Sequence, residues 1–304
     1  FGLCVMSDNK ATNVILGTSL ALIAFAGNSI LCRLALGHGA IDAYGFTLIR
    51  LFSGAITLVI LWWLVNKVKQ GQVKDTNLIE LTQFGSWKGG FYLFLYALSF
   101  SYAYLTLGTG LGALILFAAV QITMILINIL TGSRLSKGEW TGVIFAFSGF
   151  VYLVYPTLTT PSLSGFLLMS LSGIAWGLYS ANGKLSKRPL EDTLGNFMRT
   201  IPALLVLLLI TFDFLQLTSI GVVLAIASGV LASGLGYAIW YSVLPSLKGT
   251  APAVLQLLVP VLAALGGIIF VGESLSLHLV VSAAFIIGGV LTVLYAKKHV
   301  AHAS

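Results

Sequence analysis

The sequence predicts an all-α polytopic membrane protein of ten transmembrane helices, built as two inverted five-helix repeats with both termini on the cytoplasmic side. Three observations predict it. First, 58% of the 304 residues are hydrophobic and only 8% are charged, against roughly 25% charged in a soluble domain. Apolar runs recur from end to end. Second, Lys and Arg cluster in alternate loops. Third, the stretch SLALIAFAGNSILCRL (19–34) returns half a chain later as SLSGIAWGLYSANGKL (170–185).

A spanning helix needs about 20 apolar residues. The first such segment is 14–34. It lacks a small-residue cleavage site and reads as a retained helix rather than a signal peptide; the five residues before Met6 are set aside. The second is 43–65. The third and fourth, 87–107 and 110–131, are divided only by the turn Leu107-Gly108-Thr109-Gly110. The whole run from Phe91 to Leu130 is too long for one helix, and its glycines mark the break. The fifth is 138–155. After the loop PTLTTPSL (156–163) come 163–183, 194–212, 219–243, 249–271 and 277–296.

With the N-terminus inside, the cytoplasmic segments hold Lys10, Lys67, Lys69, Lys74, Lys88, Arg134, Lys137, Lys184, Lys187, Arg188, Lys248, Lys297 and Lys298, thirteen of the sixteen basic residues. The outer loops hold none, and Arg33, Arg50 and Arg199 lie within helices. The net charge of +7 therefore reports the positive-inside rule rather than a nucleic-acid partner. Cys4 and Cys32 form neither a disulfide framework nor a metal spacing.

The repeats are expected at 13–155 and 163–296. Asp42 and Gly45 match Asp192 and Gly195, and Arg50 matches Arg199 with one gap; Gly132, Leu135, Ser136 and Gly149 match Gly272, Leu275, Ser276 and Gly289. An odd number of spans per repeat turns the second copy upside down. Inverted repeats are a signature of secondary transporters, which bind substrate near the midplane.

The segments IAWGLYSANGKL (174–185), Asp192 to Arg199, and APAVLQLLVPVLAALGGIIFVGESLS (251–276) resemble the drug/metabolite transporter superfamily, with tandem EamA-type domains similar to YddG-type amino-acid and metabolite exporters. The first half departs from the pattern: Gln121 stands where Pro260 stands in the second copy, and Gly132-Ser133 replaces Gly272-Glu273. The resemblance implies a ten-helix transporter with a central cavity, in the cytoplasmic (inner) membrane of a bacterium. The superfamily moves amino acids, other metabolites, nucleotide sugars and drugs.

The embedded residues narrow the mechanism. All nine carboxylates lie in tails, loops or span ends, and the histidines are peripheral, so no proton relay is visible. Uniport or exchange is expected. Arg50 and Arg199, each about a third of the way along its helix, either greet a substrate carboxylate or phosphate from opposite sides or snorkel and tie carbonyls at helix ends; both readings stand. Arg33 and Lys184 read as anchors. Nothing basic lies between Lys248 and Lys297, which argues against phosphate esters. Tyr92 and Tyr96 share a face of the third helix, and Trp176 and Tyr179 of the sixth. With Tyr237 and Trp240 they suit an amphipathic ligand. The amides Asn28, Gln121 and Gln256 avoid lipid and turn inward. Trp62, Trp63 and Trp87 read as an interfacial belt. Gly266-Gly267 and Gly288-Gly289 read as close-packing sites, and Pro202, Pro252 and Pro260 as hinges.

The expectation is a secondary transporter exporting small amphipathic metabolites, amino acids above all, by alternating access. The alternatives are other organic metabolites or drugs, and phosphorylated metabolites or nucleotide sugars. No intramembrane protease motif and no nucleotide-binding loop occurs, so neither an enzyme nor an ATP-driven pump is expected. The expected partners are a small-molecule substrate and the lipid bilayer. A monomer without cofactor, metal or nucleic acid completes the expectation.

Overall fold

The structure is a computed structural model that describes residues 2–37, 39–70, 83–130, 136–154, 162–183, 186–247, 255–256 and 258–303. Pro252 lies outside the described residues, as do Lys74, Arg134, Lys184, Lys248 and most of the 156–163 loop. Among the described residues, the structure is helical wherever an apolar segment is expected. In chain order the helices are α1 (Gly2–Gly37), α2 (Ala43–Gln70), α3 (Trp87–Ala103), α4 (Thr109–Leu130), α5 (Lys137–Val154), α6 (Leu163–Gly183) and α7 (Pro189–Thr211). Next, α8 runs as Ser219–Ala227, a π-helical stretch Ser228–Leu235, and Gly236–Val243. Helix α9 is Leu258–Gly266 continued by a π-helical Gly267–Val271, and α10 is Leu277–Ala303. By length and composition, six of these elements are apolar enough to cross a membrane among the described residues: Thr12–Gly37, Ala43–Lys67, Thr109–Ile127, Leu163–Gly183, Pro189–Phe214 and Ser219–Ser246. The chain is a multi-pass membrane protein.

One boundary moved for a physical reason. An apolar count starts the seventh helix at 194, whereas it begins at Pro189. Proline suits the first helical turn, and Glu191 and Asp192 there complement the helix dipole. A count of apolar residues passes over a polar first turn.

The burial pattern is that of a bundle in lipid. Leu209, Ile210, Ile220, Val223, Ile269 and Phe270 are exposed, while Asn28, Thr47, Arg50, Ser101, Ser172, Ser228 and Ser233 are buried. Water would select the opposite arrangement; hydrocarbon rewards it, because polar side chains find partners only inside. Trp63 and Trp87 are exposed, as a belt requires, with Lys67 Nζ 4.8 Å from the Trp63 ring. Trp62 is a correction: it is buried in the core, one residue round the helix from its exposed neighbour.

Small residues let the helices touch. A Cβ on Gly142 would stand 2.5 Å from the Gly289 carbonyl, which seats α5 on α10. Gly266 meets Ile30, and Gly267 meets Thr109 and Glu273. Gly288 is a correction, since it opens on empty space. Gly229, in the π-helical stretch, lies against the Arg50 carbonyl and Ser53 Oγ and brings α8 onto α2.

Two polar knots close the bundle at sites far apart in sequence. In one, Asp42 Oδ1 caps α2 by accepting from Gly45 N (2.6 Å), and its Oδ2 accepts from Gln216 N (2.6 Å) just before α8. An isolated bridge between Ile41 and Leu217 and the Thr218-to-Ala40 bond (3.1 Å) extend this knot. In the other, Asp192 Oδ1 accepts from Gly85 N (2.9 Å) just before α3, and Asn196 Oδ1 accepts from Ser86 N (2.8 Å). Each knot has an aspartate opening one helix that holds the loop entering another. Thr218 then caps α8 through Gly221 N, and Ser86 caps α3 through Gly89 N.

Candidate functional site

Where α1, α2, α3, α6 and α8 meet, one guanidinium is fully enclosed. Arg50 is 0% exposed. Its Nε donates to Ser233 Oγ at 3.0 Å, and its Nη2 donates to the hydroxyls of Tyr96 (2.9 Å) and Tyr237 (3.3 Å). Its Nη1 is buried with no hydrogen-bond partner among the described residues. Among those residues the ion pair is Arg33–Glu273, elsewhere in the bundle, so no described carboxylate neutralises Arg50. The guanidinium carbon lies 5.1 Å from the Tyr96 ring centre and 5.0 Å from that of Phe100. These ring faces soften the desolvation of the cation without balancing its charge.

Each helix supplies its part for a local reason. On α1, Phe25, Asn28 and Ser29 recur three and four residues apart and share a face. Asn28 Oδ1 accepts from Ser228 Oγ (2.6 Å), and Asn28 Nδ2 donates to the Tyr96 hydroxyl (3.2 Å). On α3, Tyr96 and Phe100 are one turn apart, with ring centres at 5.5 Å. The Tyr96 carbonyl accepts from Ser172 Oγ of α6 (3.0 Å). Trp176, one turn further along α6, lies 4.9 Å from Tyr96 and 4.7 Å from Tyr237. Phe25 packs edge-on against Trp176, Tyr237 and Trp240. On α8, Ser228, Ser233 and Tyr237 fall five and four residues apart. An α-helix would place the two serines on different faces, and the π-helical stretch brings both inward. Such wide turns occur mostly at functional positions.

The space left at this point is about 10 Å³, lined by Phe25, Asn28, Ser29, Tyr96, Phe100, Leu116, Phe117, Trp176 and Tyr237. That is room for at most one water, so the space beside the Tyr96, Phe100 and Tyr237 side chains that contact Arg50 is closed in this form. A larger crevice of about 670 Å³ lies between α2 and α8. Its walls, among them Phe52, Ile56, Ile60, Val222 and Ile226, are mostly apolar, and the hydroxyls of Ser53 and Thr57 there bond carbonyls of their own helix. It offers shape without chemistry.

The structure thus brings together Asn28, Arg50, Tyr96, Trp176, Tyr237 and Trp240. Tyr179 stands next to this group, 5.4 Å from Trp176. Tyr92 is half-buried and packs beside Phe91. Gln121 is buried on α4, one turn past the lining residue Phe117, and Gln256 is buried ahead of α9. Pro202 sits inside an α7 that continues unbroken to Thr211. Pro260 is buried in α9, before the π-helical stretch that ends it.

Arg199 is not part of the cluster. It donates to the carbonyls of Phe84 and Gly195 and lies 5.9 Å from the Trp87 ring. That is the carbonyl-tying arrangement, at the far end of α3. Arg33 is no lipid anchor: its Nη1 donates to the Tyr104 carbonyl (3.1 Å), and its Nε faces Glu273 (3.4 Å). Sequence reasoning passed over Phe25, Ser29, Phe100, Ser228 and Ser233. The first three share helix faces with residues it did select. The α8 serines carried no α-helical signal.

Residues 163–295 match the EamA-like transporter family. An uncharacterized protein of Pseudomonas aeruginosa is 45% identical over 280 residues, covering 92% of this chain and 94% of that one. A probable amino-acid metabolite efflux pump of Salmonella typhimurium is 28% identical over 214 residues, 64% of this chain and 70% of its own. The uncharacterized transporter YyaM of Bacillus subtilis is 30% identical over 192 residues, 60% of this chain and 63% of its own. A solved crystal structure, 18% identical, superposes with a TM-score of 0.60 over 92% of this chain and 99% of that one, which shows a shared fold. Over residues 163–295 the chain carries an EamA-like transporter domain, of the drug/metabolite transporter superfamily.

Proposed function

We propose that the protein is a secondary transporter that carries small amphipathic carboxylates, the class that includes amino acids, out across the bacterial inner membrane by alternating access. The observation that carries this reading is Arg50, a buried cation with two uncommitted N–H groups and no counter-ion among the described residues. An ion left so in a membrane is costly, and residues of this kind mark substrate paths. A carboxylate arriving at Nη1 would balance the charge and satisfy both donors. Trp176, Tyr96, Phe100, Tyr237 and Phe25 would then enclose an apolar or aromatic body.

The two aspartate knots support the inverted repeat. Asp42 opens the second helix of residues 13–155 and holds the loop entering the third helix of 163–296; Asp192 opens the second helix of 163–296 and holds the loop entering the third helix of 13–155. A two-fold axis in the membrane plane produces this exchange. On the N-in, C-in topology the Asp42 knot faces outward and the Asp192 knot inward. Both are formed here, and the chamber between them is closed. Opening one at a time would expose Arg50 to one side and then the other, as uniport or exchange. The Salmonella typhimurium relative, by its description as an amino-acid metabolite efflux pump, supports the substrate class and the outward direction.

Counterflow tests this reading. Proteoliposomes preloaded with unlabelled phenylalanine or phenyllactate and given a trace of the same labelled compound outside, without a pH gradient, are expected to accumulate label transiently. Trp176→Ala should slow it by roughly tenfold, the scale of one lost aromatic wall. No accumulation of either compound, in protein shown to be folded and inserted, would sink the reading.

A further inference from the structure

The hydrogen-bond inventory around Arg50 points to a charge preference. Resting on the carboxylate reading above, we propose that the chamber selects monoanionic carboxylates, such as 2-hydroxy and 2-oxo acids with an aromatic or apolar body, over zwitterionic amino acids of the same shape. The protons and lone pairs of the site decide this.

The donors outnumber what they can reach. Arg50 Nη1 carries two protons with no partner among the described residues. The Tyr96 oxygen already accepts from Arg50 Nη2 and Asn28 Nδ2, and the Tyr237 oxygen accepts from Arg50 Nη2. Even with the two phenols sharing one proton between themselves, one O–H is left to give away. These protons belong to one small cluster, and a carboxylate has about four lone-pair sites to receive them.

The acceptors of the site are few, and each already takes a proton. Asn28 Oδ1 takes the Ser228 proton at 2.6 Å. Ser233 Oγ takes the Arg50 Nε proton at 3.0 Å. The Tyr96 carbonyl takes the Ser172 proton at 3.0 Å. Ser29 Oγ is buried on the cavity wall within reach of the Tyr104 hydroxyl, and a lone pair remains there to accept one bond. An α-ammonium brings three donors and a positive charge into a site that already holds one cation and no anion among the described residues. Ring faces at Trp176 and Tyr96 attract a cation only weakly, and no carboxylate among the described residues stands by to balance it. A hydroxyl or a ketone at the same carbon brings no charge and asks for one bond at most, which Ser29 can supply or a phenolic proton can give.

The test is an isosteric series that differs only at Cα: phenylalanine, phenyllactate, phenylpyruvate and, without the carboxylate, phenethylamine. Each competes in turn for counterflow of labelled phenyllactate in proteoliposomes at neutral pH, and each is scored for its shift of melting temperature in detergent. Phenyllactate and phenylpyruvate are expected to compete at least about tenfold more strongly than phenylalanine, the scale of a buried donor left unpaired. They should raise the melting temperature where phenethylamine does not. Arg50→Lys keeps a cation and should retain part of both effects; Arg50→Gln should lose both. Phenylalanine matching or beating phenyllactate overturns the charge preference and leaves the carboxylate reading standing. If no carboxylate exchanges or stabilises, both fall together.

Discussion

Replacing Arg50 with Gln or Met is expected to abolish transport while leaving the fold as stable as before, or more so. The first half follows from the substrate contact. Charge-assisted hydrogen bonds contribute about 1.5–3 kcal/mol each, so losing the Nη1 pair should cut turnover on the order of a hundredfold or more. The second half separates this arginine from a structural one. Removing half of a buried ion pair is strongly destabilising because a charge is left uncompensated. Arg50 has no anionic partner among the described residues to strand; it leaves behind three hydroxyls, on Ser233, Tyr96 and Tyr237. Those hydroxyls can rotate and bond to one another, and the desolvation of an unpaired cation is relieved. Stability held in reserve for function is traded in this way at binding sites. Thermal unfolding in detergent alongside counterflow checks both halves. A large fall in melting temperature for Arg50→Met would assign the residue to the scaffold.

Glu273 is expected to behave in the opposite way, with stability falling first. Its carboxylate takes the Thr109 backbone N–H with both oxygens at 2.8 Å and the Thr109 hydroxyl at 3.0 Å. It also faces Arg33 Nε at 3.4 Å, and Arg33 reaches on to the Tyr104 carbonyl. The negative charge therefore sits at the N-terminus of α4, where the helix dipole favours it, and knits the ends of α1, α3 and α9 to it. Both partners remain about a quarter exposed, at 24% and 23%, so the ion pair itself is screened and adds little. The backbone cap carries most of the effect. Glu273→Ala should cost about 2–3 kcal/mol, read as a drop of several degrees in melting temperature. Arg33→Ala should cost less, and the double variant should fall short of the sum because the two share one network. Additive losses would mean the two residues act separately.

Most of the fold was legible because lipid leaves few options. Apolar length located the helices, and the glycines at 108 and 110 divided α3 from α4. Polar first turns, such as the one at Pro189, were what apolar counting missed. The site was legible in part. Tyr96, Trp176 and Tyr237 stood out as aromatics with polar tips on helix faces, and Asn28 as an amide with nowhere else to go. The roles of the two arginines were not legible. They align in the sequence, yet Arg50 makes its hydrogen bonds to side chains, while Arg199 donates to the backbone carbonyls of Phe84 and Gly195. That difference lies in the neighbouring chain. The inward turn of Ser228 and Ser233 was hidden as well, because a π-helical register follows from packing against Arg50 and Ser53 rather than from the period of the sequence.

The most direct measurement is the reach of a membrane-impermeant thiol reagent to a cysteine at Ser29, in a Cys4→Ser, Cys32→Ala background. Ser29 lines the closed space beside Arg50. In sealed vesicles of each orientation, Ser29→Cys should react slowly from either face, and a saturating carboxylate that the protein exchanges should slow the reaction further. Reaction from one face only, or a rate indifferent to that carboxylate, would contradict a substrate chamber that opens alternately to the two sides.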